Sequence, residues 1–148
     1  EYSITSKKAK TIDREDEEEA YEKIGEELNI KPVKIITGLK GMKFKEMIYD
    51  EESQVGEFIY KYQGKTVAYF INASYADSSF GIDLDDNKIQ EYKKNIKGHE
   101  IIISKYKVKE NKEYRYIAAF KEKGIEYYIV ASMANKDYEK MLKNLLFP

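Results

Sequence analysis

The chain has 148 residues, of which 42% are hydrophobic and 36% charged, which is enough apolar material for one domain with a core. It contains no cysteine, and this excludes disulfides, thiolate metal sites and cysteine nucleophiles. Its formal net charge of -1 excludes a global field that would attract nucleic acid or an anionic membrane.

The N-terminal region is predicted to contain an arm followed by a helix. Residues 1–13 have no hydrophobic periodicity and are expected to form a linker or flexible arm, with a single domain at 14–148. The sequence TIDREDEEEAYEKIGEELNIKP predicts a helix that is capped by Thr11 or Asp13 and ends before Pro32. Its apolar residues share one helical face: Ala20, Tyr21, Ile24 and Leu28.

The next segments are predicted to be β-strands. A strand at 44–49 follows a glycine-containing turn at 38–41. The sequence GEFIYKYQGKTVAYFI predicts a hairpin, with strands at 57–62 and 65–72 and Gln63 and Gly64 in the turn. Apolar residues alternate along both strands, which indicates that each strand has one buried face.

The least regular segment, ADSSFGIDLDDNKIQEY, is predicted to be a long polar and acidic connection. Connections of this kind are where binding residues tend to collect. We therefore place a candidate binding surface at Tyr75, Phe80, Asp83 and Asp85, with an exposed aromatic ring beside polar carboxylates. The alternative is that Phe80 packs under the edge of the sheet as a structural residue.

The last third of the chain predicts three strands and a helix. The strands, at 99–108, 114–121 and 125–132, are joined by turns too short for parallel crossovers, so we expect an antiparallel meander. Asn135 is the predicted N-cap of the final helix. The apolar stripe of this helix must be buried on the sheet: Tyr138, Met141, Leu142, Leu145 and Leu146.

These elements together predict an α+β fold. It consists of an antiparallel sheet of about six strands, made of a hairpin and a three-strand meander after the first strand. An N-terminal and a C-terminal amphipathic helix flank the sheet.

Residues that could carry chemistry are few. Asp83, Asp85 and Asn87 alternate as in an EF-hand loop, but Lys88 stands where that loop needs glycine. Weak calcium binding and a plain polar turn stay open as alternatives. His99 is the only histidine, cannot build a typical zinc site without cysteine, and is interpreted as a turn residue. We predict no catalytic residue, cofactor or metal site, and no enzyme activity.

The stretch YKKNIKGHEIIISKYKVKENKEYR is locally basic and has interleaved tyrosines. It could bind an anionic polymer such as nucleic acid or wall teichoic acid. The alternative is a strand whose lysines discourage pairing at the edge of the sheet. We favour this alternative and expect no nucleic-acid partner.

Three segments carry a resemblance to a known family: GEFIYKYQGKTVAYFI, SSFGIDLDDNKIQEYKKNIKGHEIIISKYKV and YIAAFKEKGIEYYIVASMANKDYEKMLKNLLF. Their order and spacing resemble the domain-of-unknown-function family 4367 over residues 14–147. The positions that match its motifs are Asp77, Ser78, Gly81, Asp83, Gly98, Ile101, Ile103, Tyr106, Lys143, Asn144, Leu145 and Phe147. Phe80 and His99 depart from the pattern, where tryptophan and an aliphatic residue are expected.

The resemblance implies a cellular context and no reaction. Members of the family look like C-terminal extracytoplasmic halves of membrane-anchored, anti-sigma-factor-like proteins of Firmicutes. We therefore expect an extracytoplasmic monomer, tethered by a segment upstream of Glu1, that senses or binds an unknown envelope ligand or protein. The alternative function is a carrier, in which the curved sheet and the C-terminal helix enclose a lipid or other apolar ligand.

Overall fold

The computed structural model describes residues 10–12, 16–36, 38–74, 87–108 and 113–148. These residues form an antiparallel sheet and two helices, so the predicted α+β class is confirmed. The helices are α1, Glu17–Leu28, and α2, Asn135–Lys143. The strands are β1 Lys10–Ile12, β2 Lys43–Asp50, β3 Val55–Tyr62, β4 Lys65–Ile71, β5 Asn87–Ile96, β6 His99–Lys107, β7 Arg115–Glu122 and β8 Ile125–Ser132.

The order of strands across the sheet is β1-β2-β3-β4-β8-β7-β6-β5. Seven of these strands have 7 to 10 residues, and the three-residue β1 lies at one edge, so the predicted count of six is too low. The long strand missing from the prediction is β5, and six of its ten residues lie in the segment predicted to be irregular. Because β5 is an edge strand and most of its side chains are exposed, its sequence shows little alternation of apolar and polar residues.

The N-terminal end of α1 differs from the prediction. Lys10–Ile12, at the end of the predicted arm, pairs antiparallel with β2, and Thr11 lies opposite Ile48. Thr11 therefore cannot cap the helix, which begins at Glu17 with Asp16 in the N-cap position and no side-chain cap bond. Glutamates occupy the first turn, where their charge interacts favourably with the helix dipole.

The predicted hairpins are confirmed. β3 and β4 pair in register from Gly56 opposite Ile71 to Tyr62 opposite Lys65. Gln63 and Gly64 form the turn, and both have positive φ, 51° and 77°, as the twist of a two-residue hairpin requires. β6, β7 and β8 form the predicted antiparallel meander.

Both helices pack on the same face of the sheet. The predicted inner face of α1 is confirmed, with Tyr21 and Ile24 buried. Gly56 of β3 lies directly under Ile24, since a Cβ built on Gly56 would be 2.7 Å from the Ile24 Cδ1 atom. The opposite face of the central strands is also buried, through Phe70, Ile117, Tyr128 and Val130.

α2 is buried on the sheet as predicted. The Tyr138 ring stacks on Tyr116 with centroids 4.9 Å apart, and its hydroxyl donates to the Ile129 carbonyl at 2.6 Å. The predicted N-cap is wrong by one residue, because Ala134 occupies that position. The side chain of Asn135 instead donates to the hydroxyl of Tyr92 on β5 at 3.3 Å.

Candidate ligand groove

The four residues predicted to form a binding surface, Tyr75, Phe80, Asp83 and Asp85, lie outside the described residues. Asn87 is the first residue of β5. Within the part of the chain that the structure describes, no group of three histidine, aspartate or glutamate side chains could hold a metal ion.

A groove with two adjacent lobes lies between the second half of α1, the β7–β8 turn and residues 146–148, which we call the strap. The first lobe has a volume of about 630 Å³ and extends along α1 to the strap. The second has about 570 Å³ and extends to Glu122, Lys123 and Ile125 at the β7–β8 turn. The two lobes adjoin each other at the strap, because five residues line both of them: Gly25, Asn29, Ile30, Lys31 and Pro148.

The wall shared by the two lobes is built at the end of α1. Asn29 adopts a left-handed conformation with φ 54°, and the Ile30 N–H donates back to the Gly25 carbonyl at 2.9 Å. A Cβ at Gly25 would lie 2.9 Å from the Ile30 carbonyl oxygen. Glycine therefore lets residues 30–32 lie directly against the helix that they have just left.

The strap is held in the groove by backbone contacts. The Leu146 N–H donates to the Lys34 carbonyl at 2.9 Å, and the Lys34 N–H donates to the Leu146 carbonyl at 3.0 Å. The residue before the strap is also fixed, because the Lys97 ammonium donates to the Leu145 carbonyl at 2.7 Å. Leu146 lies beyond α2 and is 47% exposed, so its predicted place in the buried stripe is wrong.

An aromatic slot receives the next strap residue, Phe147. Its ring stacks on the His99 ring with centroids 3.8 Å apart and 4° between planes, and meets the Phe120 ring edge-on at 5.9 Å. The His99 Nδ1 atom lies 2.5 Å from a carboxylate oxygen of Glu122, which fixes the imidazole. His99 is the first residue of β6, where the predicted strand begins beside the turn, and it also forms one wall of this slot.

The groove is lined by both aliphatic and charged side chains. Ile30, Ile125 and Pro148 supply aliphatic surface to the lobes. Glutamates of α1 line the first lobe, and lysines at both ends of the groove add positive charge. An amphipathic molecule would find both kinds of contact there.

A buried network of hydroxyl groups supports the first lobe. The hydroxyls of Tyr21 and Tyr60 lie 2.7 Å apart, and the Tyr60 hydroxyl donates to the Glu17 carboxylate at 2.6 Å. The Ile35 N–H donates to the Tyr21 oxygen at 3.0 Å, which ties the segment carrying Lys34 to α1. Burial raises the pKa of both tyrosines and of Glu17, so the phenols stay neutral and serve as structural links at neutral pH.

The segments that form this fold match the family described as Domain of unknown function (DUF4367), over residues 27–145. The chain belongs to this family. The match covers β2 to α2, and it ends before the strap of this DUF4367 domain. No curated protein and no solved structure matches the chain significantly. Among the described residues there is no helix with the length and apolar character needed to cross a membrane.

The groove was not predicted, because the residues of its walls are distant from one another in the chain. Gly25 and Phe147 both line the first lobe, yet neither stands in a motif with a known chemistry. One signal was present: Phe147 belongs to the C-terminal pattern that carries the family resemblance. That pattern does not reveal the histidine on which the ring stacks.

Proposed function

We propose that this DUF4367 domain is a non-catalytic sensing or interaction module that binds a ligand in the two-lobed groove. The observation that carries the proposal is the groove itself, with lobes of about 630 and 570 Å³ lined by aliphatic and charged side chains. Pockets that bind small ligands usually have volumes of this order.

The cellular setting of the proposal comes from the family resemblance. The module would be an extracytoplasmic, monomeric part of a membrane-anchored, anti-sigma-like regulator, with an envelope ligand or protein as its partner. A ligand in the first lobe would contact Tyr21, which is linked through Tyr60 to Glu17 in the first turn of α1. This network offers a route by which binding alters the end of the domain that follows the predicted arm.

A carrier for a lipid or other apolar ligand is the alternative. That function requires a cavity between the sheet and α2, beneath Tyr138, Met141 and Leu145. Tyr138 is in stacking contact with Tyr116, and all three of the α2-side residues are fully buried. We therefore favour the groove as the site. A lipid that co-purifies at near-stoichiometric occupancy in native mass spectrometry would support the carrier instead.

The proposal is tested with 1-anilinonaphthalene-8-sulfonate, an amphipathic anion that suits the aliphatic side chains and the lysines. We expect saturable fluorescence enhancement with about one site, and Ile30→Trp should weaken binding at least about tenfold, a change of about 1.4 kcal/mol. Ile89→Trp is the matched control, because Ile89 is 49% exposed on β5, away from the groove. Equal loss in both variants, or no binding to the wild type, would contradict the proposal.

A further inference from the structure

We infer that the groove binds an extended peptide segment with an aromatic side chain, and that the strap is an internal mimic which this peptide displaces. The inference rests on the proposed binding function and names the class of its ligand. Three features of the strap carry it: its backbone pairing, its aromatic slot and the ease with which it can leave.

The first feature is the backbone pairing of Leu146 with Lys34. The two residues exchange both N–H···O bonds, at 2.9 and 3.0 Å, and form an antiparallel bridge outside the main sheet. Lys34 follows Pro32 and Val33, whose burial holds this extended segment against the core. When Leu146 leaves, the N–H and C=O groups of Lys34 lose their partners and become the kind of edge to which an extended peptide adds as a strand.

The second feature is that the slot for Phe147 is built by groups that have other partners. His99 is oriented by the carboxylate of Glu122. Phe120 stacks on Tyr127 with centroids 5.0 Å apart and 9° between planes. Both walls therefore keep their positions when the ring leaves, and an aromatic side chain from a ligand can take its place.

The third feature is the boundary between α2 and the strap. Leu145 is fully buried, whereas Leu146 is 47% exposed and Phe147 is partly buried. Withdrawal of the strap therefore leaves the packing of α2 intact. It also removes Pro148 from both lobes and turns them into one open groove.

The ligand is a segment of a different protein, because the strap cannot reach a second copy. Phe147 follows the buried Leu145 by two residues, a span of about 7 Å. That length does not bridge two molecules while α2 remains docked on its own sheet. The partner segment would place an aliphatic residue beside Lys34 and an aromatic residue beside His99.

The test uses fluorescence anisotropy of a labelled pentapeptide with the sequence NLLFP, which is that of residues 144–148. In the wild-type domain Phe147 occupies the slot, whereas Phe147→Ala leaves it empty. The variant should bind the peptide at least about tenfold more tightly, because no competing strap ring has to leave. The peptide NLLAP should bind the same variant at least about tenfold more weakly.

Two further variants sharpen the test. Tyr114→Ala removes an exposed aromatic ring outside the groove and should bind the peptide as the wild type does. Leu146→Pro removes the N–H that donates to Lys34 but keeps Phe147, and should also increase affinity. Circular dichroism checks that each variant is folded, and Leu146→Pro provides the result if Phe147→Ala does not fold.

Equal affinity for wild type and both strap variants, or equal binding of NLLFP and NLLAP, would overturn the inference. Dimerisation of the wild type in sedimentation velocity that disappears in Phe147→Ala would assign the slot to a second copy and overturn the choice of partner. Binding of 1-anilinonaphthalene-8-sulfonate without peptide binding would leave the proposed function standing and reject the peptide. Binding of neither probe would reject both.

Discussion

Substitution of Gly56 by alanine should destabilise the domain through a clash with one atom of α1. The added Cβ would lie 2.7 Å from Ile24 Cδ1 and 3.2 Å from Cγ1, and Ile24 is fully buried. Overpacking a core in this way costs about 1–3 kcal/mol, while replacing glycine by alanine lowers the entropy of the unfolded chain and returns about 0.4–1 kcal/mol. We expect a net loss of about 1–2 kcal/mol in the free energy of unfolding.

The clash predicts a specific rescue. Ile24→Val alone removes a buried methyl group and should cost about 0.5–1.5 kcal/mol. In the Gly56→Ala background the same change removes the Cδ1 atom that is closest to the new Cβ. The double variant should therefore be more stable than the sum of the single effects by about 1 kcal/mol.

The assay is urea unfolding followed by circular dichroism, in a double-mutant cycle of the wild type, the two single variants and the double variant. The four proteins are compared with the same dependence of the unfolding free energy on urea concentration. Gly41→Ala combined with Ile24→Val is the control cycle, because a Cβ at Gly41 meets no atom within 4 Å. Its two effects should add. If the Gly56 cycle is also additive within about 0.5 kcal/mol, the close contact between α1 and β3 is not what limits substitution there.

Three further predictions concern buried and half-buried hydroxyl and carboxyl groups. Tyr21→Phe should cost about 1–3 kcal/mol in urea unfolding, because the buried Ile35 N–H loses its acceptor; an unchanged midpoint would contradict this. Burial raises the pKa of Tyr21 and Tyr69 in the folded protein. Their contribution to the free energy of unfolding is therefore complete below about pH 10. It is lost as the pH rises further, because these phenols then ionise only in the unfolded chain. Unfolding curves at pH 8 to 12 measure this, and a stability that does not fall above pH 10 would refute it. Burial opposes ionisation of Glu139, but the hydrogen bonds from Lys94 and Tyr92 and the charges of Lys94 and Lys143 together outweigh it and lower the pKa of this carboxyl. Its contribution to the free energy of unfolding is therefore present at neutral pH and lost as the pH falls below about 4.5. Glu139→Gln should therefore reduce stability by up to about 1 kcal/mol at pH 7 and by less at pH 3.

The parts of the fold that the sequence predicted are those with strong periodicity. Alternation of apolar residues located the β3–β4 hairpin and the β6–β8 meander, and the apolar spacing located α2. β5 was not predicted, because an edge strand needs few apolar residues. Its inward-facing Tyr92 and Lys94 are held by polar contacts with Glu139. Those contacts join distant segments and have no local pattern.

The candidate site was less predictable than the fold. Gly25 shapes the groove through a close approach to Ile30, which depends on the conformation at the end of α1. His99 becomes a wall of the slot only because the β5–β6 hairpin brings it under Phe147. The residues chosen from the sequence at 75–85 rested on the tendency of long connections to bind ligands, and they remain a prediction.

Ligand binding in the groove is tested most directly by mapping amide chemical shifts while 1-anilinonaphthalene-8-sulfonate is added to the wild-type domain. We expect saturable shifts at Ile30, Lys31 and Ile125, which line the lobes, and none at Ile89 or Tyr114. Shifts confined to β5, or spread evenly over the sheet with no saturation, would contradict the groove as the binding site.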